Sequence, residues 1–242
     1  MKFGTFFLVS ILLCSCQNKN AVIPNGTNQM AISQELPVLP GHSVRYLALG
    51  DSYTYGDGVS LQGSFPYQLI DTLGRQGYLV SVPTEVALFG WTSGDLLSSL
   101  NASKITQKFD FVTLLIGAND EAHGISTTTF TANLDILIAT AIQYTNGDKS
   151  RVFILSIPDW SVTPFAANMN KPAIAAGVAL FNTINQVEAE KFGANYIDLT
   201  ALSEMAATDP SLTSADGLHP SAKMYALWVK QFSGQIIASF NK

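Results

Sequence analysis

Short apolar runs separated by amphipathic stretches set the pattern of this chain. Val44 to Leu49, interrupted only by Arg45, reads as a buried strand that stops at Gly50-Asp51-Ser52. Phe65, Leu69 and Leu73 then recur at helical spacing, with Pro66 suited to a first turn. Tyr78 to Leu88 alternates as a strand does and ends at Phe89-Gly90-Trp91-Thr92-Ser93, after which Asp95 to Leu100 begins another helix. Phe109 to Ile116 is a continuous apolar run, the mark of a strand covered on both faces, and it ends at Gly117-Ala118-Asn119-Asp120. Phe130, Leu134, Leu137, Ile138, Ala141 and Ile142 share one helical face. Val152 to Ile157 is a fourth strand, stopped by Pro158 and followed by a long loop carrying Trp160, Phe165 and Met169. The next helix is expected to bury Ile174, Val178, Phe181, Ile184 and Val187. Asn195 to Leu199 is a short fifth strand, and Tyr225, Trp228, Phe232 and Ile236 mark a last helix after Pro220.

Strands that alternate with helices imply right-handed crossovers and a parallel sheet covered on both sides. The pattern predicts an α/β protein, a three-layer α/β/α sandwich around a five-stranded parallel sheet.

The first residues follow another pattern. Lys2 is a short basic region, and Phe6 to Leu13 is an apolar stretch too short to cross a bilayer. Leu13-Cys14-Ser15-Cys16 resembles a bacterial lipobox, in which the last cysteine is acylated and becomes the mature N-terminus. The expected organisation is a lipoprotein signal peptide over 1–15, a flexible tether over 16–42 that begins with lipidated Cys16, and a folded domain over 43–242. The tether is rich in Asn, Thr, Gly and Pro and lacks any period. An ordinary secretory peptide cleaved nearby is the rival reading. Gln17 after the cysteine, in place of Asp, favours anchoring to the outer membrane of the cell envelope, on either face.

Composition narrows the chemistry. The chain carries 13 Lys+Arg against 18 Asp+Glu, with no basic cluster, which argues against a nucleic-acid partner. Both cysteines lie in the N-terminal region, so the domain is expected to hold no disulfide, thiolate nucleophile or cysteine metal site.

Parallel strands bring their carboxyl ends to one edge, so Ser52, Gly90, Asn119 and the pair Asp216 and His219 can converge there. Acyl transfer by a serine needs a base, an acid to orient that base, and donors facing the developing oxyanion. Each of these residues also has a plainer reading. Ser52 and Asp216-Gly217 can be turn residues, Asn119-Asp120 can cap a helix, and His219 can simply precede Pro220 at the start of the last helix.

Together, Gly50-Asp51-Ser52, Gly90, Gly117-Ala118-Asn119-Asp120 and Asp216-Gly217-Leu218-His219-Pro220 resemble the four sequence blocks of the SGNH (GDSL-type) hydrolases, in the family's order. The resemblance covers about residues 44–238 and implies the flavodoxin-like SGNH fold. No G-x-S-x-G pentapeptide is present, so the nucleophile-elbow α/β-hydrolase reading loses its main support.

Carried over, the resemblance makes Ser52 the nucleophile, His219 its base and Asp216 the acid that orients it. The oxyanion donors would be the Ser52 and Gly90 N–H groups and the Asn119 amide, with Gly94 the rival to Gly90 under a shifted alignment. Asp120 is expected to support its loop. A metal site of Asp120, Glu121 and His123 has short spacing and no second cluster, and no metal or cofactor is implied. Trp91, His123 and Trp160 are candidates for substrate contact, while Phe89 and Phe165 are expected to pack the loops. The implied partner is a small-molecule or carbohydrate ester, and the membrane is met only through the lipid. Deacetylation of extracellular carbohydrate, hydrolysis of lysophospholipid or thioester, acyl transfer with the same triad, and a non-catalytic binding lipoprotein all remain open at this level.

Overall fold

The computed structural model describes residues 43–241. The expected signal peptide, tether and lipidation of Cys16 therefore lie outside the described residues. Five strands form one parallel sheet: β1 (Tyr46–Gly50), β2 (Thr84–Ala87), β3 (Phe111–Leu115), β4 (Val152–Leu155) and β5 (Asn195–Ile197), in the spatial order β2-β1-β3-β4-β5. Between and after them run α1 (Ser52–Tyr55), α2 (Phe65–Arg75), α3 (Ser93–Ala102), α4 (Ala118–Ala122), α5 (Thr127–Tyr144), α6 (Lys171–Phe192), α7 (Thr200–Glu204) and α8 (Ala222–Phe240).

The chain winds outward to β2 and then reverses past β1 to β3. Right-handed crossovers place α2 on one face and α3 on the other. Consistent with this, α2 packs against α8, while α3, α5 and α6 pack in series. The reversal lies between β1 and β3, where Gly50 is in register with Leu115. In open α/β sheets such a switch point leaves a crevice outside the carboxyl ends of the strands.

Every residue of β1, β3 and β4 is buried, which is why each reads as an unbroken apolar run. On the α2–α8 side, the fully buried Phe65 ring lies 6.2–6.4 Å from the rings of Tyr225, Trp228 and Phe232. Burial of large apolar side chains of this kind contributes roughly 1.5–3 kcal/mol each.

Two expectations need correcting. The strand predicted over Tyr78–Leu88 reduces to Thr84–Ala87, preceded by a single bridge between Val44 and Val80. Pro83 cannot donate to the ladder, so pairing stops there and resumes beyond it. In α6, Val187 is half exposed instead of buried, because the buried face runs through Asn182, Asn185 and Glu188 instead.

Candidate active site

β1 ends at Gly50, where a Cβ would run into the Leu115 carbonyl and the Thr54 hydroxyl. Asp51 then caps α1 by accepting the Tyr53 N–H at 3.0 Å, and Ser52 becomes the first helical residue. Its N–H falls among those a helix start leaves without an intrahelical acceptor.

A second segment closes on this point. Asp216 Oδ1 accepts the Leu218 N–H at 2.8 Å and the His219 N–H at 3.0 Å, forming a tight Asx turn. That turn explains the three-residue spacing, because it points both side chains the same way. His219 Nδ1 meets Asp216 Oδ2 at 2.7 Å, and Nε2 lies 2.9 Å from Ser52 Oγ. With Nδ1–H given to the carboxylate, Nε2 keeps its lone pair and accepts from the hydroxyl. Partial burial opposes ionisation of Asp216, but the Ser214 hydroxyl, the Leu218 N–H and the His219 ring outweigh it and hold the carboxyl well below its usual range.

Donors gather on the other side of Ser52. Among the described residues, neither the Ser52 nor the Gly90 N–H meets a protein acceptor. Gly90 sits at φ 77°, a left-handed turn in open space that costs glycine little. Asn119 lies within α4, whose cap is Gly117, so it does not cap that helix. Its Nδ2 donates to the Trp91 carbonyl at 2.9 Å and makes only a long 3.5 Å contact to Asp51. One of its two N–H bonds is thus well used and the other is engaged only by the long contact to Asp51.

Ser52, Gly90, Asn119, His123 and His219 all line one groove of about 260 Å³. Its remaining wall is apolar, from Phe89, Trp160, Phe165 and Leu218 with Ala118 and Ala122. A hydroxyl polarised by an imidazole, facing three N–H donors across an apolar groove, is equipped to attack a carbonyl carbon and to hold the resulting oxyanion.

The sequence model of the GDSL-like lipase/acylhydrolase family matches residues 48–227. The chain belongs to that family. It is an SGNH-type serine hydrolase acting on ester bonds. Among curated protein sequences, none matches. Solved structures share the fold: TesA, at 20% identity and a TM-score of 0.63, is covered over 99% of its length by 81% of this chain. The psychrotrophic esterase EstA from a Pseudoalteromonas species, inhibited by monoethylphosphonate, gives 20% identity and 0.62, with 82% of this chain covering 99% of it. A catalytic mutant of Axe2, an acetylxylan esterase from Geobacillus stearothermophilus, gives 18% and 0.61, with 80% covering 94%.

In this GDSL-like hydrolase the expectations for the aromatic residues change places. Trp91 is not among the groove-lining residues; its ring is partly buried against the core. It directly precedes Thr92, which caps α3 in a reciprocal pair with Asp95, and an apolar residue there packs onto the helix it introduces. Trp91 serves the site through its carbonyl. Phe89 and Phe165, expected as packing residues, line the groove while 65% and 50% exposed, and the Phe89 ring lies 6.1 Å from that of His219. His123 and Trp160 do reach the groove.

Three acidic residues beneath the site have separate partners. Asp120 accepts the Ser93 N–H at 2.8 Å together with the Ser93 hydroxyl, as a loop support should. Glu121 accepts the Trp160 indole N–H at 3.1 Å. Asp51, which sequence reading passed over as part of a motif, is fully buried, and burial pushes its carboxyl up to about 8 against the pull of the Tyr53 N–H.

Proposed function

We propose that this hydrolase cleaves carboxylic esters through an acyl-enzyme on Ser52. His219 takes the Ser52 proton as the hydroxyl attacks the ester carbonyl, and Asp216 orients the imidazole and stabilises it once charged. The tetrahedral oxygen is held by the Ser52 and Gly90 N–H groups and by Asn119 Nδ2. His219 then protonates the leaving alkoxide as the tetrahedral intermediate collapses to the ester of Ser52. Water activated by the same imidazole attacks that ester and restores the hydroxyl. The observation that carries this reading is the 2.9 Å contact of His219 Nε2 with Ser52 Oγ beside N–H groups with no protein acceptor.

The apolar wall supports an ester bearing an uncharged aliphatic or aromatic group. A second reading, removal of acetyl groups from carbohydrate, draws on the fold shared with an acetylxylan esterase and on exposed rings able to stack on sugars. Within our reading the chain is tethered to the cell envelope through lipid on Cys16, a step supported by the Leu13-Cys14-Ser15-Cys16 pattern.

The test is labelling with a fluorophosphonate, followed by turnover of nitrophenyl esters and of acetylated xylooligosaccharide. Labelling and turnover that vanish in Ser52→Ala support the mechanism. Absence of labelling in the wild type would return the chain to a binding role, and turnover limited to acetylated sugar would select the second reading.

A further inference from the structure

The wall of the groove is not held by packing alone. Trp160 is 9% exposed, and its indole N–H, a donor that burial would otherwise leave unsatisfied, reaches Glu121 Oε2 at 3.1 Å. Glu121 belongs to α4, two residues past Asn119. Its other carboxylate oxygen packs on α6 at Gly177, where a Cβ would overlap it. The Trp160 ring is further braced by Phe165, with centroids 6.3 Å apart.

Behind this ring lies a second, small cavity of about 20 Å³, whose far side includes Met224 and Trp228. It is large enough for about one water. Tyr53, Trp160, Leu218 and His219 line both spaces and so form the partition between them. Of these four, His219 is held by the base–acid pair and Tyr53 lies between β1 and α8, its carbonyl taking the Tyr225 hydroxyl at 2.9 Å. Trp160 is the partition member whose ring is fixed by one side-chain hydrogen bond, that to Glu121, with Phe165 packed beside it.

We infer that Trp160, pinned by Glu121, is the stop that limits the length of the aliphatic chain this groove accepts. The inference rests on Ser52 acting on a carboxylic ester in the groove. A chain bound against the indole ends there, because the ring separates it from the cavity behind. The pin and the proposed oxyanion donor share α4, so the distance from the stop to the ester carbon is set within one short element. Glu121 is a positioning residue, acting only through the ring. Once the indole is released or removed, the groove joins the rear cavity, and each methylene newly buried raises kcat/KM about fourfold.

The experiment measures kcat/KM with the full chain on two series. One is nitrophenyl esters of increasing acyl length, and the other is acetates of increasing alcohol length. Trp160→Ala, which also frees the volume of the indole, should raise the ratio of the longest to the short substrates about tenfold or more in one series, and Glu121→Ala about fourfold, while Glu121→Gln, which keeps an acceptor for the indole, holds the wild-type ratio. A shift in the first series places the chain on the acyl side, and a shift in the second places it on the alcohol side. Should Trp160→Ala fail to fold by circular dichroism, the Glu121→Ala and Glu121→Gln pair decides alone.

Ser52-dependent turnover with an unchanged ratio in Glu121→Ala overturns the inference, as does an unchanged ratio in a folded Trp160→Ala. Wild-type turnover that survives Ser52→Ala would instead overturn the esterase mechanism, so the two failures are distinguishable.

Discussion

Asp120 receives both the backbone N–H and the hydroxyl of Ser93, tying the segment after β3 to the start of α3. Gly90 and Asn119, the two proposed oxyanion donors from outside the Ser52 segment, lie just before the two ends of this link in sequence. The bond therefore sets their spacing.

Removing the carboxylate in Asp120→Ala leaves buried Ser93 donors without an acceptor, a loss of about 1–3 kcal/mol in unfolding free energy. Chemical denaturation measures it. The same variant should lower kcat more than it raises KM, since the oxyanion donors shift before the groove walls do. Asp120→Asn, which keeps one acceptor oxygen, should fall between.

Asn119→Ala removes a side-chain donor that lines the groove beside Ser52. A drop in kcat of roughly 10²–10³, with KM little changed, is the expected size for one oxyanion donor. Steady-state kinetics on a short ester would reveal it, and an unaltered kcat would remove Asn119 from the mechanism.

Asp216→Asn should keep the turn through its carbonyl oxygen but cannot stabilise a charged His219. Loss of kcat by about 10³–10⁴ is expected, in line with a triad whose acid has been neutralised. Fluorophosphonate labelling should slow in parallel. Undiminished labelling would show that Ser52 is activated by another route.

Asp51 governs a pH dependence of stability. Its carboxyl rises from 3.8 to about 8, mainly through burial, so the folded protein holds a proton that the unfolded chain releases between those values. Stability therefore falls as pH climbs through that window. Glu85, pushed by burial to about 7, adds a contribution of the same sign. Thermal midpoints from pH 5 to 8 should decline in the wild type and decline less in Asp51→Asn. Identical slopes would mean that Asp51 is already ionised in the folded protein.

The fold was legible where burial is two-sided. β1, β3 and β4 have no exposed position, so their apolar runs admit few other readings, whereas edge strand β2 is half-buried throughout and its limits follow a proline. Ser52, Asn119, Asp216 and His219 were legible because strand ends and an Asx turn leave little freedom in where they can sit. The exchange of roles between Phe89 and Trp91 was not. Those residues flank a left-handed Gly90, and side-chain direction across such a turn has no period to read. The link from Glu121 to Trp160 was equally hidden, since it depends on the bare surface that Gly177 offers on a distant helix.

Ser52 and His219 stand 167 residues apart, and His219 comes just before α8, the last element among the described residues. A chain still being made thus carries Ser52 long before it carries the imidazole proposed as its base. On the proposed mechanism, a fragment that stops short of His219 has no base for Ser52. If His219 is that base, chain order alone keeps half-finished chains from hydrolysing esters.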